Sequence, residues 1–289
     1  MERYWREKEK LVNQALRDYL RKENRTNREL LKWMRYSSLA GGKRIRALLV
    51  LATVEMLGKN PKNFLPCACG IEMIHTSSLI LDDLPCMDDA ILRRGKPALH
   101  RVSGEAKAIL SAYALCAEGI RLISENAYDL KVSPYALYRI LKSISLTIGI
   151  EGISLGQFLD LKYSGMKCSR KDIEKIHFYK TASLFISVLE IAGILTGAKE
   201  KELKALKNYG KNLGLAFQIR DDFREGKGKI KKEGKYSLKD GQRPNYRVLL
   251  GKEDAEKAFL RYKKRALFSL KPFGERAKRL QEIVSLLEL

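Results

Sequence analysis

Apolar residues recur at intervals of three and four positions in segment after segment of this 289-residue chain. One such stripe includes Leu11, Ala15 and Leu16, and another includes Ile173 and Ile176. This spacing is typical of amphipathic α-helices, whereas the period of two that indicates strands is hard to find. Seven prolines in the whole chain leave room for long helices. We therefore expect an all-α fold, and because no long flexible linker divides residues 1–289, we expect a single domain.

The charge balance is strongly basic, with a formal net charge of +22. Lysine and arginine interleave with glutamate, as in KDIEK and KEDAEK, which is typical of solvated helix faces rather than of a nucleic-acid surface. The N-terminal MERYWREKEK lacks the apolar core of a secretion signal, and no apolar run approaches the length of a membrane span. The five scattered cysteines favour a reducing compartment. We expect a cytoplasmic protein with no nucleic-acid partner and no integral membrane segment.

The first of two acidic clusters lies in the stretch LILDDLPCMDDAILRRGKP. Its aspartates are Asp82, Asp83, Asp88 and Asp89. They follow an apolar helical pattern on which His75, Leu79 and Asp82 share one face. Carboxylates at the C-terminal end of a helix are disfavoured by the helix dipole, and neighbouring carboxylates also repel one another. A bound divalent cation would offset both effects.

The second acidic cluster lies in the stretch GLAFQIRDDFREG. On a helix, its polar side chains share one face, namely Gln218, Asp221, Asp222 and Glu225. Oxygen ligands without nearby histidine or cysteine indicate Mg²⁺ rather than zinc. Either cluster alone would fit a solvated acidic turn equally well. Two clusters on apolar helices of a basic chain favour metal binding.

Basic residues that could hold a phosphate group occur in two places. In SLAGGKRIRALLVLA, a glycine pair precedes Lys43 and Arg46 at the predicted start of a buried helix. Glycine turns and helix N-termini favour anions, and residues three apart can contact one phosphate. Arg93 and Arg94 directly follow the first acidic cluster. Together with the carboxylates, these residues indicate a diphosphate held through magnesium.

Five stretches of the chain occur in an order and at a spacing that are typical of a known family. They are GGKRIRALL, EMIHTSSLILDDLPCMDDAILRRGKP, GQFLDL, YKTASL and GLAFQIRDD. Over about residues 43–250, the chain resembles the trans-isoprenyl diphosphate synthases, or polyprenyl synthetases, which include farnesyl and geranylgeranyl diphosphate synthases. The resemblance implies an isoprenoid-synthase-type helical bundle around a deep central cavity, usually a homodimer. It also implies prenyl transfer, in which an allylic diphosphate ionises and isopentenyl diphosphate attacks the resulting cation.

The resemblance further implies roles for individual residues. The Mg²⁺ ligands on one wall of the cavity would be Asp82, Asp83 and Asp88. Those on the other wall would be Asp221, Asp222 and Glu225. The allylic diphosphate would be bound by Arg93, Lys180 and Lys235, and isopentenyl diphosphate by Lys43, Arg46, His75 and Arg94. Thr181 and Gln218 would place polar oxygens near the carbocation.

Two serines bear on the length of the product. Ser77 and Ser78 are the fifth and fourth residues before Asp82, where a bulky side chain stops chain growth early in this family. Because serine is small, the resemblance favours geranylgeranyl diphosphate slightly over farnesyl diphosphate. Tyr113 is an alternative floor for the cavity.

Departures from the family pattern leave two alternatives open. The second motif reads DDFRE where the family usually has a third aspartate, and Arg243 replaces a common lysine. The chain would then be a catalytically weakened regulatory subunit of a heteromeric prenyl synthase. A class I terpene cyclase would use the same acidic residues with magnesium. The second basic site around Lys43 and Arg46 disfavours a cyclase, which needs only one diphosphate site.

Overall fold

The computed structural model describes residues 2–21, 26–224, 236–237 and 243–289. Within these residues the chain is almost entirely helical, which confirms the predicted all-α class. The chain divides into two compact units that interleave in sequence. The first comprises the described residues of Met1–Leu51, Lys62–Asp129 and Gly226–Asp240, and the second those of Ala52–Pro61, Leu130–Glu225 and Gly241–Leu289. That residues 1–289 form a single domain stays a prediction, as does the deep central cavity.

The first unit contains most of the N-terminal helices. They are α1 (Glu2–Tyr19), α2 (Arg28–Ser38), α3 (Ile45–Met56), α4 (Leu65–Asp82), α5 (Leu99–Ser103) and α6 (Glu105–Asp129), with the end of α3 assigned to the second unit. α4 and α6 make the most extensive contact. They cross at Gly70 and Gly119, where a Cβ atom on Gly70 would lie 2.5 Å from the backbone oxygen of Gly119. The two backbones therefore touch, and α4 is held firmly in place.

A small antiparallel sheet of order β2-β1-β3 follows the first acidic cluster. Its strands are β1 (Ala90–Arg93), β2 (Lys96–Pro97) and β3 (Tyr236–Ser237). The sequence did not predict this sheet. Strands of two to four residues are too short to display an alternating pattern, and they form because a tight turn at Arg94 and Gly95, both with positive φ, pairs Arg93 with Lys96.

The second unit contains the remaining helices. They are α7 (Pro134–Ile148), α8 (Ile153–Lys162), α9 (Arg170–His177), α10 (Ser183–Leu195), α11 (Glu200–Arg224), α12 (Tyr246–Leu250), α13 (Lys252–Ser269) and α14 (Lys278–Ser285). α10 is buried along nearly its whole length, which explains its near-continuous apolar sequence. It packs against α11, whose opposite side packs against α13. A π-helical turn, Phe178–Ala182, joins α9 to α10.

Among the described residues, three helical stretches are long and apolar enough to cross a membrane, by length and composition alone. They are Pro61–Asp82, Pro134–Lys162 and Arg170–Leu195. The expectation that no apolar run approaches the length of a membrane span is therefore corrected. It counted only uninterrupted apolar runs, whereas these helical stretches contain a few charged residues. In the first and third stretches, 67% and 72% of the apolar window is buried inside the protein. The absence of an integral membrane segment stays a prediction.

Candidate active site

The first acidic cluster forms one compact turn at the end of α4. Backbone hydrogen bonds close the turn, from the Asp88 N–H to the Asp82 carbonyl at 3.0 Å and from the Ala90 N–H to the Asp83 carbonyl at 3.1 Å. Asp83 and Asp88 are buried, whereas Asp82 is partly exposed. The predicted placement of carboxylates at the C-terminal end of an apolar helix is confirmed. Their role as metal ligands stays a prediction.

Asp83 has a cationic partner in Arg93 on β1. The Arg93 Nε donates to both carboxylate oxygens, at 2.9 and 3.0 Å, and an Nη atom also donates to the carboxylate. Asp83 is only 2% exposed. Removing one partner of such a buried pair typically costs about 3–5 kcal/mol, because the other charge is left uncompensated. The short sheet therefore fixes Arg93 beside the acidic turn.

Several cationic side chains crowd together next to this turn. The Nη1 atom of Arg46 lies 3.1 Å from the Nε2 atom of His75. Burial and then the charges of Arg46, Arg94, Arg93 and Arg44 hold the pKa of His75 well below its ordinary value of 6.5. Burial also lowers the pKa of Arg94 to about 10, with further lowering by the neighbouring guanidinium groups, against the opposing effect of Glu72. This repulsion would be relieved by a bound anion.

Arg44 and Glu72 shape the loop that precedes α3. Arg44 adopts a φ of 49° and is 3% exposed, with its Nε donating to Asn13 Oδ1 at 2.9 Å and its Nη2 to the Ser38 carbonyl at 2.7 Å. Glu72 is 3.8 Å from Arg44 and accepts from the backbone N–H of Ala47 at 3.1 Å. The buried pair therefore caps α3. Glu72 had no predicted role, although a lone acidic residue in an apolar helix indicates a buried, paired charge.

Lys43 and Arg46 lie next to the capped start of α3. Lys43 is exposed in the loop, and Arg46 lies in the first turn of α3 and contacts His75. The prediction of basic residues at the start of a buried helix is confirmed. Their binding of isopentenyl diphosphate stays a prediction.

A narrow cleft, partly open to solvent, lies within the first unit. Its charged lining consists of Asp83, Arg93 and Arg94. Its apolar lining includes Leu79, Ile80 and Leu99. This combination suits a ligand that carries an anionic group and a hydrocarbon group.

The low pKa of His75 predicts a pH dependence of stability. Because the folded state binds this proton less readily than the unfolded chain, the free energy of unfolding should fall as pH drops below 6.5. In His75→Gln, which cannot be protonated, the decrease between pH 7 and pH 5 should be smaller. Urea unfolding at pH 7, 6 and 5 would measure this decrease in both proteins.

His100, whose pKa is also lowered mainly by burial, is present in both proteins, so its contribution cancels in the comparison. Parallel pH profiles for the two proteins would contradict the assignment.

In the second unit, Lys180 and Thr181 lie on the π-helical turn. Such turns insert an extra residue into a helix and are frequent at functional sites. Two glycines allow close packing around it, since a Cβ on Gly156 would lie 2.1 Å from the backbone nitrogen of Lys180, and one on Gly214 would lie 2.6 Å from the Cα of Ala182. The motifs GQFLDL and YKTASL are therefore in direct contact.

Asp160, from the GQFLDL motif, pairs with two cations. Its Oδ2 accepts from Lys180 Nζ at 2.7 Å and lies 3.3 Å from Nη1 of Arg243. Asp160 is 4% exposed, so these contacts hold both cations in place. Asp160 had no predicted role, although it lies within this motif. The substitution of Arg243 for the common lysine keeps the charge at this position.

The second acidic cluster separates into two environments on α11. Asp221 is 39% exposed and accepts from Arg220 Nη2 at 2.9 Å. Asp222 is 3% exposed, and both of its carboxylate oxygens receive N–H groups of the protein. The prediction of Asp222 as a metal ligand did not anticipate these donors. Glu225 and Lys235 lie outside the described residues.

The donor chemistry of these residues fits Mg²⁺. Among the residues that the structure describes, no group of three or more His, Cys, Asp or Glu side chains is arranged to hold a metal ion. Mg²⁺ rarely uses such a cage, because it prefers hard oxygen ligands, keeps several waters and binds through one or two carboxylates together with substrate phosphates. Asp82 and Asp88 in the first unit would supply such carboxylates, and so, separately, would Asp221 in the second.

The product-length residues lie on adjacent faces of α4. The Ser77 hydroxyl donates to the Ile74 carbonyl at 2.8 Å. Ser78 is half-buried and lies three and four residues from His75 and Asp82, so it shares their face. Tyr113 is 77% exposed on α6. Among the described residues, no contact supports Tyr113 as an alternative floor, which stays a prediction.

Comparisons with known proteins agree with these motifs. The family model described as Polyprenyl synthetase matches residues 27–257. The fold and the matched span place the chain among the enzymes that transfer prenyl groups. The chain belongs to the polyprenyl synthetase family and is a trans-prenyltransferase.

Individual relatives narrow the range of activities. Farnesyl diphosphate synthase of Bacillus subtilis (strain 168) is 40% identical over 229 residues, which cover 78% of this chain and 77% of the relative. Geranylgeranyl pyrophosphate synthase 4 of Arabidopsis thaliana is 42% identical over 72% of this chain and 56% of its own length. A solved geranyltransferase from Helicobacter pylori, complexed with magnesium and isoprenyl diphosphate, is 28% identical with a TM-score of 0.83, covering 98% of this chain and 95% of that chain.

Proposed function

We propose that this trans-prenyltransferase condenses isopentenyl diphosphate with an allylic diphosphate to give a longer all-trans prenyl diphosphate. The observation that carries the proposal is the arginine cluster around His75, built directly beside the acidic turn of α4. Cations held together at this density need an anion of high charge, and a diphosphate has that charge. Relatives named as farnesyl and geranylgeranyl synthases support the same substrates.

In this reaction the carbon–oxygen bond of the allylic diphosphate breaks, and the diphosphate leaves with the bonding electrons. The double bond of isopentenyl diphosphate then forms the new carbon–carbon bond, and a proton is lost to the departing diphosphate. Arg93 and Lys180 bind the leaving diphosphate and keep it oriented, whereas Lys43, Arg46, His75 and Arg94 bind isopentenyl diphosphate. Thr181 and Gln218 stabilise the allylic cation with their oxygens. Asp82, Asp83 and Asp88, together with Asp221, would hold Mg²⁺, which would neutralise the charge of the leaving diphosphate.

An assay of the purified chain with isopentenyl diphosphate, an allylic primer and Mg²⁺ tests this function. The expected result is a prenyl diphosphate that is longer than the primer. Turnover only after mixing with a homologous active subunit would instead indicate the regulatory subunit. Release of diphosphate from the allylic substrate alone, with a cyclic hydrocarbon product, would indicate the cyclase.

The product-length proposal predicts that a bulky side chain on α4 shortens the main product. We propose geranylgeranyl diphosphate as slightly favoured over farnesyl diphosphate, because Ser77 and Ser78 leave space below Asp82. Ser77→Phe and Ser78→Phe should each shift the main product to a shorter chain, measured by chromatography of the dephosphorylated products. Thermal unfolding of each variant would show whether the phenylalanine ring is accommodated against the neighbouring helices. A variant that folds and keeps the original product removes that serine from the cavity wall.

The proposed homodimer is supported by an exposed apolar stripe on α6. Ile109, Leu110 and Tyr113 are 45%, 61% and 77% exposed. A second copy of the chain would cover this stripe and remove its apolar surface from water. A cytoplasmic location and the lack of a nucleic-acid partner remain parts of the same proposal.

A further inference from the structure

The buried carboxylate of Asp222 lies at the centre of a hydrogen-bond network inside the second unit. Its Oδ2 accepts from the Tyr246 backbone N–H at 2.7 Å and lies 3.3 Å from Nε2 of His177. Its Oδ1 accepts from the Gln218 side-chain nitrogen at 3.2 Å. His177 is 3% exposed, and its ring stacks on Tyr246 with centroids 5.6 Å apart. The Tyr246 and Gln218 N–H groups therefore donate to Asp222, and the His177 ring lies beside it.

The network continues from Gln218 to Thr181. The Thr181 hydroxyl lies 2.6 Å from the Gln218 side-chain oxygen. The Gln218 side-chain nitrogen donates to Asp222 Oδ1, so Gln218 turns its NH₂ group towards Asp222. Its carbonyl oxygen then faces Thr181, and the Thr181 hydroxyl must donate its hydrogen to it. The remaining lone pairs of the Thr181 oxygen consequently point away from Gln218.

We propose that Asp222, held by His177, is a positioning residue that fixes the direction of this chain of hydrogen bonds. Asp222 stands at the start of this chain and accepts from Gln218, so Thr181 must donate its hydrogen to Gln218. Thr181 therefore presents oxygen lone pairs, and not a hydrogen, to its other neighbours. Oxygen lone pairs stabilise a nearby carbocation, whereas a hydroxyl hydrogen opposes it. The inference rests on the proposed function of Thr181 beside the allylic cation. It gives Asp222 a role distinct from metal binding.

The isosteric variant Asp222→Asn provides a sharp test. Because Oδ2 accepts from the Tyr246 backbone N–H, the asparagine must keep its oxygen there and turn its NH₂ towards Gln218. Gln218 then has to reverse its amide, and its NH₂ group faces Thr181. Thr181 becomes the acceptor, and its hydrogen turns outward. The variant thus reverses the direction of the chain with almost no change in shape.

We expect Asp222→Asn to lower kcat about 10-fold to 100-fold. This loss is equal to, or somewhat smaller than, the loss that follows removal of one preorganised electrostatic contact. The KM values for both substrates and the half-saturating Mg²⁺ concentration should change less than about threefold. A tenfold or greater rise in the half-saturating Mg²⁺ concentration would overturn the inference, because it would identify Asp222 as a metal ligand. NMR with selective glutamine labelling would compare the Gln218 side-chain amide signals of the original protein and of Asp222→Asn, both without substrate or metal. These signals should differ between the two proteins. Unchanged signals would contradict the reversal of the Gln218 amide.

A double variant separates positioning from simple support of the fold. When Asp222→Asn is combined with Gln218→Glu, the anion moves one step along the network, and the introduced glutamate accepts from both the introduced asparagine and the Thr181 hydroxyl. The original direction at Thr181 returns, so kcat should recover at least several-fold over Asp222→Asn alone. A structural role would give no such recovery. The inference would be contradicted if kcat did not recover in a double variant whose melting temperature equals that of Asp222→Asn.

Thr181→Val separates failure of this inference from failure of the proposed function. If Thr181 stabilises the cation, Thr181→Val lowers kcat, and adding Asp222→Asn to it should cause little further loss. Additive losses would overturn the inference while leaving the role of Thr181 intact. A normal kcat for Thr181→Val would instead reject the proposed role of Thr181, on which the inference depends.

Discussion

Replacement of Asp82 by asparagine is expected to lower kcat by about a thousandfold or more. The change keeps the shape of the side chain but removes a charge from the partly exposed corner of the acidic turn. If Asp82 holds the divalent ion that neutralises the leaving diphosphate, an amide in its place binds that ion weakly, and ionisation slows accordingly. Steady-state kinetics across a range of Mg²⁺ concentrations would measure both effects, with the half-saturating Mg²⁺ concentration also expected to rise.

Asp89 provides a matched control within the same cluster. Its carboxylate accepts from Arg101 at 2.8 Å, and its φ of 47° is a conformation that asparagine tolerates well. Asp89→Asn therefore removes the same charge from the same turn without touching a proposed ligand. Its kcat should stay within about threefold of the original. Equal losses in the two variants would show that the turn responds to total charge, and near-normal activity of Asp82→Asn would reject its role.

Replacement of Arg94 by methionine should raise the KM for isopentenyl diphosphate by about a hundredfold. Hydrogen bonds to charged groups each contribute about 1.5–3 kcal/mol, and an arginine can make two of them to one phosphate. Each 1.4 kcal/mol corresponds to about a tenfold change in affinity. The KM for the allylic primer should change far less. Titration calorimetry with isopentenyl diphosphate alone would measure the loss of binding directly.

Arg101→Met is the control for this charge removal. Arg101 is 41% exposed and pairs with Asp89, so its loss removes one positive charge close in sequence to Arg94 without altering the proposed diphosphate site. Its KM for isopentenyl diphosphate should be nearly unchanged. If Arg101→Met and Arg94→Met raise this KM equally, the effect comes from the general positive field, and the assigned binding site is incorrect.

The sequence predicted those parts of the site whose chemistry is visible in local spacing. The positions of Asp82 and Asp83 at the end of α4, and of Lys43 and Arg46 around the start of α3, follow from helical periodicity and a glycine turn. In the same way, the four-residue spacing of Gln218 and Asp222 places them on one face, where they form a hydrogen bond. Local spacing was sufficient because each of these relations lies within one helix or its cap.

Contacts between distant segments could not be predicted in this way. The pairing of Arg44 with Glu72 spans 28 positions, and the contact of His177 with Asp222 spans 45. Nothing in the residues around Asp222 distinguishes it from Asp221, although one is buried and the other is exposed. The difference arises from packing of the backbone of Tyr246 and the ring of His177 against one side of α11, which is a tertiary effect.

The crossing of α4 and α6 at Gly70 and Gly119 limits how this enzyme can diversify. Because the two backbones meet without intervening side chains, α4 has no space in which to slide or tilt towards α6. Changes in the depth available below the acidic turn must therefore arise from exchange of individual side chains on a fixed helix. We expect a single substitution at such a position to alter which prenyl chain is released without disturbing the carboxylates of the acidic turn.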